Sequence, residues 1–268
     1  MSKRDGPARA ERSRREMDER EKNQLRDGEK GEQRPASVAG TVINPDKEEG
    51  ITWQGMRYRR LCIRTPVITA GDDIVQVARR CAGPLLEKGD ILFVTEKAVA
   101  CAQRRAIPLE EIRPRPLARF LSRFVRRTPY GIGLAMPETM ECALRECGTP
   151  RILLAAAVSA VGKLLGERGW FYRVAGYRAA SIDGPCPNTL PPYNRCVVLG
   201  PLRPDGVAQE LSQALGCAVA VVDLNDLGGE ILGVSDQRMD RVHLRALLRD
   251  NPLGQCSEQT PMGILRRG

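Results

Sequence analysis

Large apolar side chains are nearly absent from the first fifty residues and then recur in short, dense runs. Residues 1–50 mix acidic and basic side chains, and such a segment buries too little surface to offset its ordering entropy. The pattern predicts a disordered charged tail over residues 1–50 and a folded domain over residues 51–268, with order beginning near Met56. Residues 59–65 read as a strand halted by Pro66. After Gly71-Asp72-Asp73, the apolar positions Ile74, Val77, Ala78 and Cys81 follow helical spacing, and the Asp pair suits a first helical turn. Residues 90–95 form a compact apolar strand, and 96–105 a helix or turn. Leu117, Phe120, Leu121 and Phe124 fall on one helical face with arginines opposite. Residues 139–147 and 152–165 read as helices, and 170–174 and 196–199 as short strands. Residues 205–215 predict a helix closed by Gly216. Residues 217–222 are continuously apolar, as in a strand buried on both faces. Residues 239–248 give a last helix, and 251–268, with Pro252, Gly254, Pro261 and Gly263, read as an irregular tail. This alternation predicts an α/β (or α+β) fold, a mixed sheet with flanking helices.

Composition sharpens the reading. Only 4% of residues are aromatic, so the core rests on Leu, Val, Ile and Ala. The longest apolar run, residues 152–161, falls well short of the roughly 20 residues a membrane span needs. The N-terminus lacks the apolar stretch of a secretory signal, so the expectation is a cytoplasmic protein without a membrane partner. Nine cysteines form no C-x-x-C pair, and His243 is the sole histidine; this set suits reduced thiols better than zinc. The net charge of +9 falls entirely within residues 51–268, since the first fifty are neutral. A basic domain suits polyanions, and the lack of aromatics interleaved with the basic residues disfavours nucleic acid and favours phosphates.

Signature motifs narrow the chemistry. Gly162-Lys163 lacks the leading glycine and the following Ser or Thr of a phosphate loop and reads as helix interior. Gly131-Ile-Gly133 lacks the third glycine of a dinucleotide fingerprint, and no G-x-S-x-G is present. Carboxylates at strand ends remain. The buried strand ends in Asp223, followed by Asn225 and Asp226, where open α/β sheets place ligands. The loop over residues 175–195 carries Asp183, Asn188, Thr189 and Tyr193, and loops of that length inside a compact domain are often functional. Two acidic clusters in a basic domain fit Mg²⁺ or Mn²⁺ holding phosphates, while Asp-Gly and Asn-Asp pairs also serve as plain turns.

Several segments together resemble the coenzyme F-420 gamma-glutamyl ligases. These are Thr65-Pro66-Val67-Ile68 with the glycine and two acids after it, the strand ending Thr95-Glu96-Lys97, Ser181-Ile182-Asp183, and Asp223-Leu224-Asn225 followed by Gly233-Val-Ser-Asp236. The order and spacing match over residues 59–240. The resemblance implies a GTP- and divalent-metal-dependent amide ligase that phosphorylates a carboxylate on a phosphorylated substrate and joins it to L-glutamate. It implies Asp183 and Asp223 as ligands of Mg²⁺ or Mn²⁺. Thr65, Pro66, Val67, Ile68, Lys97 and Asn188 would be nucleotide contacts, and the assembly a homodimer. Cys101 stands where the family commonly has lysine, and Leu224 where it has threonine. Both substitutions leave open a second expectation, a non-catalytic protein that binds a phosphorylated ligand on the same fold.

Overall fold

The computed structural model describes residues 40–125, 133–167, 169–226 and 228–268. The expectations for residues 1–39 and for Gly131 lie outside them. Folding starts ahead of residue 51: β1 (Thr41–Val42) and β2 (Gly50–Trp53) both pair antiparallel with β3 (Met56–Ile63). Between them Asn44 is buried and donates to Pro252 O and Thr260 Oγ1, both at 2.9 Å, so this stretch is sewn to the far end of the chain.

The expected α/β architecture is present. After β3 come α1 (Ile74–Cys81), β4 (Ile91–Thr95) and α2 (Glu96–Ala102). Asp73 caps α1 by accepting from Val75 N, and Thr95 caps α2 by accepting from Ala98 N. A ribbon of β5 (Ala106–Pro108) and β6 (Cys196–Val198) brackets a helical insertion. That insertion holds α3 (Pro116–Ser122), α4 (Pro137–Cys147), α5 (Thr149–Leu164), α6 (Trp170–Ala175) and α7 (Tyr177–Ala180). The chain returns through α8 (Pro204–Leu215), β7 (Ala218–Asn225), β8 (Gly228–Val234), α9 (Arg241–Leu247) and β9 (Met262–Arg267). The main sheet runs β1-β3-β9-β4-β7-β8, with β2 sharing the outer edge of β3, and β4 and β7 are its parallel pair. No single helix among the described residues is long and apolar enough to cross a membrane.

Strand alternation divides the core between the two faces. Leu61, Leu92, Val94, Val219, Val221 and Ile264 pack under α1, α2 and α8. Cys62, Phe93, Ala220, Val222 and Leu265 pack under α9 and the residues after it. The helical insertion has a separate core around Met140, Leu144, Ile152 and Ile182.

Four local expectations change. Residues 170–174 are helical, because Trp170 lies flat on α5 over Gly162, where a Cβ would come within 2.9 Å of the indole. Phe120 and Phe124 leave the buried face predicted for them and stack edge-to-face on the surface, while Leu121 is buried. The strand ending at Asp223 continues to Asn225 as a hairpin with β8. The supposed irregular tail contains β9, which lies between β3 and β4 and pairs with both.

Candidate functional site

The site forms where β4 and β7 end. These strands run parallel with Thr95 opposite Val222, so Glu96, the first residue past β4, sits beside Asp223, which β7 carries on in its hairpin with β8. Asp183 arrives from the other side. Its backbone bridges Val198 in both directions at 2.9 Å, which extends the β5–β6 ribbon and holds the start of the loop in place. Lys97 Nζ meets Asp183 Oδ2 at 2.9 Å, with about half of each side chain exposed. Such a half-exposed pair contributes modestly to stability, so its role is placement.

Glu96, Lys97 and Asp223, with two further segments, enclose a cleft of about 200 Å³. Thr65, Pro66, Val67 and Ile68 form one wall, and the Tyr193 hydroxyl donates to Ile68 O at 2.6 Å to fix it. Residues between Asn251 and Pro261 form an adjoining wall. Thr65 N donates to Gln259 O at 3.1 Å and Thr95 N to Pro261 O at 2.9 Å, so both walls are tied by backbone hydrogen bonds. Asn251 is buried, and its Oδ1 is an acceptor without a protein partner.

The electrostatics are set by crowded carboxylates. Glu96 is 5% exposed. Its burial, then the nearby Asp223 and Asp183, push its carboxyl up to about 8, against a hydrogen bond from the Tyr177 hydroxyl at 2.9 Å. Burial and Asp183 likewise raise Asp223, opposed by Lys97. Burial pulls the Lys97 ammonium down, but Asp183 more than offsets it and the net direction is up. Burial pushes the Cys101 thiol up to about 11, so at neutral pH this position carries no charge. Among the described residues Glu96, Asp223 and Glu258 line the cleft, Lys97 is its one lining cation and no arginine lines it, so the cleft is rich in carboxyl groups although the protein is basic.

Of the residues expected from sequence, Thr65 to Ile68, Lys97 and Asp223 line this cleft. Asp183 reaches it through Lys97. Asn188 is exposed and outside the lining, while its neighbours Thr189 and Leu190 are within it. Among the described residues no group of three or more His, Cys, Asp or Glu side chains is arranged to hold a metal ion, and Asp183 is turned onto Lys97 instead. The donor set nonetheless fits a divalent cation: hard carboxylate oxygens whose mutual repulsion a cation would relieve. Three contributors were not singled out in the sequence. Glu96 and Tyr177 gave no signal beyond their residue types. The 251–261 wall is contiguous with the cleft only after β9 has folded into the sheet.

The family model for F420-0:Gamma-glutamyl ligase matches residues 62–236. That span covers the Thr65–Ile68 wall, β4, the Asp183 loop and the β7–β8 hairpin, and it ends before the 251–261 wall. A comparison with individually curated proteins gives no match.

Proposed function

The chain belongs to the F420-0:Gamma-glutamyl ligase family, which supports a ligase function, and on that premise we propose that the cleft is the site of a GTP-dependent amide ligase acting on a phosphorylated carboxylate and L-glutamate. One observation carries the reading: Glu96, just past β4, and Asp223, in the adjacent parallel strand β7, come together in a cleft that among the described residues has a single lysine and no arginine. A polyphosphate would be repelled from such a cleft on its own and accepted together with divalent cations. Asp223 and Asp183 would hold Mg²⁺ or Mn²⁺, which supplies charge neutralisation to a transferring phosphoryl group.

The chain's own residues divide the remaining work. Thr65 to Ile68 present backbone groups and an apolar wall to the nucleotide. Lys97, which pairs with Asp183 here, would be available to a phosphate oxygen if Asp183 held the cation instead. Tyr177 holds Glu96 against the cleft floor. A carboxylate brought beside the γ-phosphate would take the phosphoryl group as the bond from the γ-phosphorus to the bridging oxygen breaks and GDP leaves, and the amine of glutamate would then attack the acyl carbon and displace inorganic phosphate, forming the amide and releasing a proton.

A thermal-shift screen over nucleoside triphosphates with Mg²⁺ or Mn²⁺ tests this. GTP with metal raises the melting temperature through binding linkage, and the rise disappears in Asp183→Ala and Asp223→Ala. No shift with any nucleotide, with or without metal, would refute it. The neutral, buried Cys101 favours a second reading, a ligand-binding protein without turnover. In that case the shift persists, but glutamate elicits no phosphate release.

A further inference from the structure

A second cavity, of about 390 Å³, opens between the end of α4, the start of α5 and the α6–α7 turn. It is lined by Glu146, Cys147, Arg151, Gly176, Tyr177 and Arg178. Its charge is opposite to that of the acidic cleft. Arg105 donates to Glu146 Oε1 at 2.7 Å, and Arg178 Nη1 lies 3.9 Å from the same oxygen. Arg151 makes no ion pair among the described residues; its Nε donates to Val174 O at 2.9 Å, which leaves the terminal nitrogens of its fork uncommitted. Two guanidinium groups, Arg151 and Arg178, thus line the cavity with one carboxylate, Glu146, which Arg105 already pairs with from behind the lining.

The cavity is shaped to keep Arg151 there. Gly176 has φ +85°, and a Cβ at that position would sit 2.7 Å from Arg151 Nη2, so the missing side chain is what leaves room for the guanidinium. The cavity also adjoins the cleft. Tyr177 lines it, and the hydroxyl of the same residue donates to Glu96 on the cleft floor.

We propose that this cavity is a phosphate subsite, which takes the phosphate group of the substrate whose carboxylate is activated in the cleft. The role of that phosphate rests on the ligase reading above; the anion binding itself does not. Guanidinium forks approaching from α5 and α7 suit a tetrahedral anion with acceptor oxygens in several directions. Glu146 already supplies a carboxylate to Arg105 and Arg178, so the unmet demand is for further oxyanion charge. The two cavities thereby separate the substrate's phosphate from the nucleotide's: arginines hold the first, and carboxylates with a cation hold the second.

The experiment is a calorimetric titration of inorganic phosphate into the full chain without divalent metal, with acetate in parallel. Wild type is expected to bind one phosphate per chain, and acetate at least about tenfold more weakly. Arg151→Met and Arg178→Met each weaken phosphate about tenfold or more, and Asp223→Asn leaves it unchanged. Should Arg151→Met fail to fold, Arg178→Met carries the same comparison, since that side chain is 65% exposed. The proposal is overturned by absent phosphate binding in wild type, by equal affinity for acetate, by unchanged affinity in the arginine variants, or by loss in Asp223→Asn. A missing GTP–metal shift alongside intact phosphate binding would remove the ligase reading and leave the subsite standing; the reverse outcome would remove the subsite alone.

Discussion

Among the described carboxyl groups, Glu96 is one on which burial and charge act strongly. In an unfolded chain its carboxyl would titrate near 4.5, and in the folded protein it titrates near 8. Between those values the folded state retains a proton that the unfolded chain has released. Stability therefore falls as pH rises across that window, and the loss is complete above about 8. Glu96→Gln keeps an acceptor for Tyr177 and removes the charge. Urea denaturation of the metal-free protein at pH 5, 7 and 9 should show the variant more stable than wild type at pH 9, by on the order of 1–3 kcal/mol, with a flatter pH dependence. The same crowding predicts that Mn²⁺ binding tightens as pH rises toward about 8, because the cation displaces protons from Glu96 and Asp223. Calorimetry of Mn²⁺ binding in buffers of different ionisation enthalpy would detect the released protons. At this scale Asp183 and Asp223 were legible from sequence, because Asp at a strand end or in a long polar loop is a recognisable pattern. Glu96 was not, because a glutamate opening a helix looks like an ordinary first-turn acid.

At the scale of elements, β9 shows what a linear pattern leaves out. Met262-Gly-Ile-Leu-Arg-Arg is short, follows Pro261 and contains a glycine, all of which mimic a tail. The glycine is there for packing: a Cβ on Gly263 would stand 2.5 Å from Phe93 Cζ and 3.1 Å from Leu61 O. Gly263→Val should therefore cost about 2–3 kcal/mol in urea denaturation, as overpacking in a filled core does. The far end of β9 is held by Arg266, which pairs with the buried Asp90 at 2.8 Å, pairs with Glu87 and donates to Leu85 O at 2.7 Å. Arg266→Ala leaves the Asp90 carboxylate with a hydrogen bond to Glu87 N but no counter-ion, and a loss of about 3 kcal/mol is expected in the same measurement. Helices with clear caps and stops were read correctly, as with α1 after Asp73 and α8 before Gly216. Residues 170–174 were misread because four apolar or aromatic side chains in five positions carry no period, and only the contact with Gly162 settles them as a helix.

At the scale of the whole molecule, the last strand closes the sheet and also fixes one wall of the cleft. β9 joins β3 to β4, and the segment leading into it supplies the residues from Asn251 to Pro261. A chain ending at Pro261 should lose its cooperative unfolding transition, since β3 and β4 would each lose a partner and expose the core between them. Circular dichroism on heating checks this. Buried Arg60 reinforces the arrangement: it pairs with Asp250 and donates to Glu48 O at 2.6 Å, fastening the first and last parts of the domain beside the cleft.

The α/β class, most of the capped helices, the buried β7 strand and the candidate acids Asp183 and Asp223 were legible along the chain, and the Thr65–Ile68 segment followed only from the family resemblance. The readings from pattern depend on local apolar spacing, turn chemistry or strand ends. Tertiary structure alone decided the central place of β9, the acidic sign of the cleft in a basic protein, the raised carboxyl of Glu96, and the arginine cavity behind Tyr177. These depend on which distant segments come into contact, and a buried charge or a missing Cβ takes its meaning only from the neighbours that folding supplies.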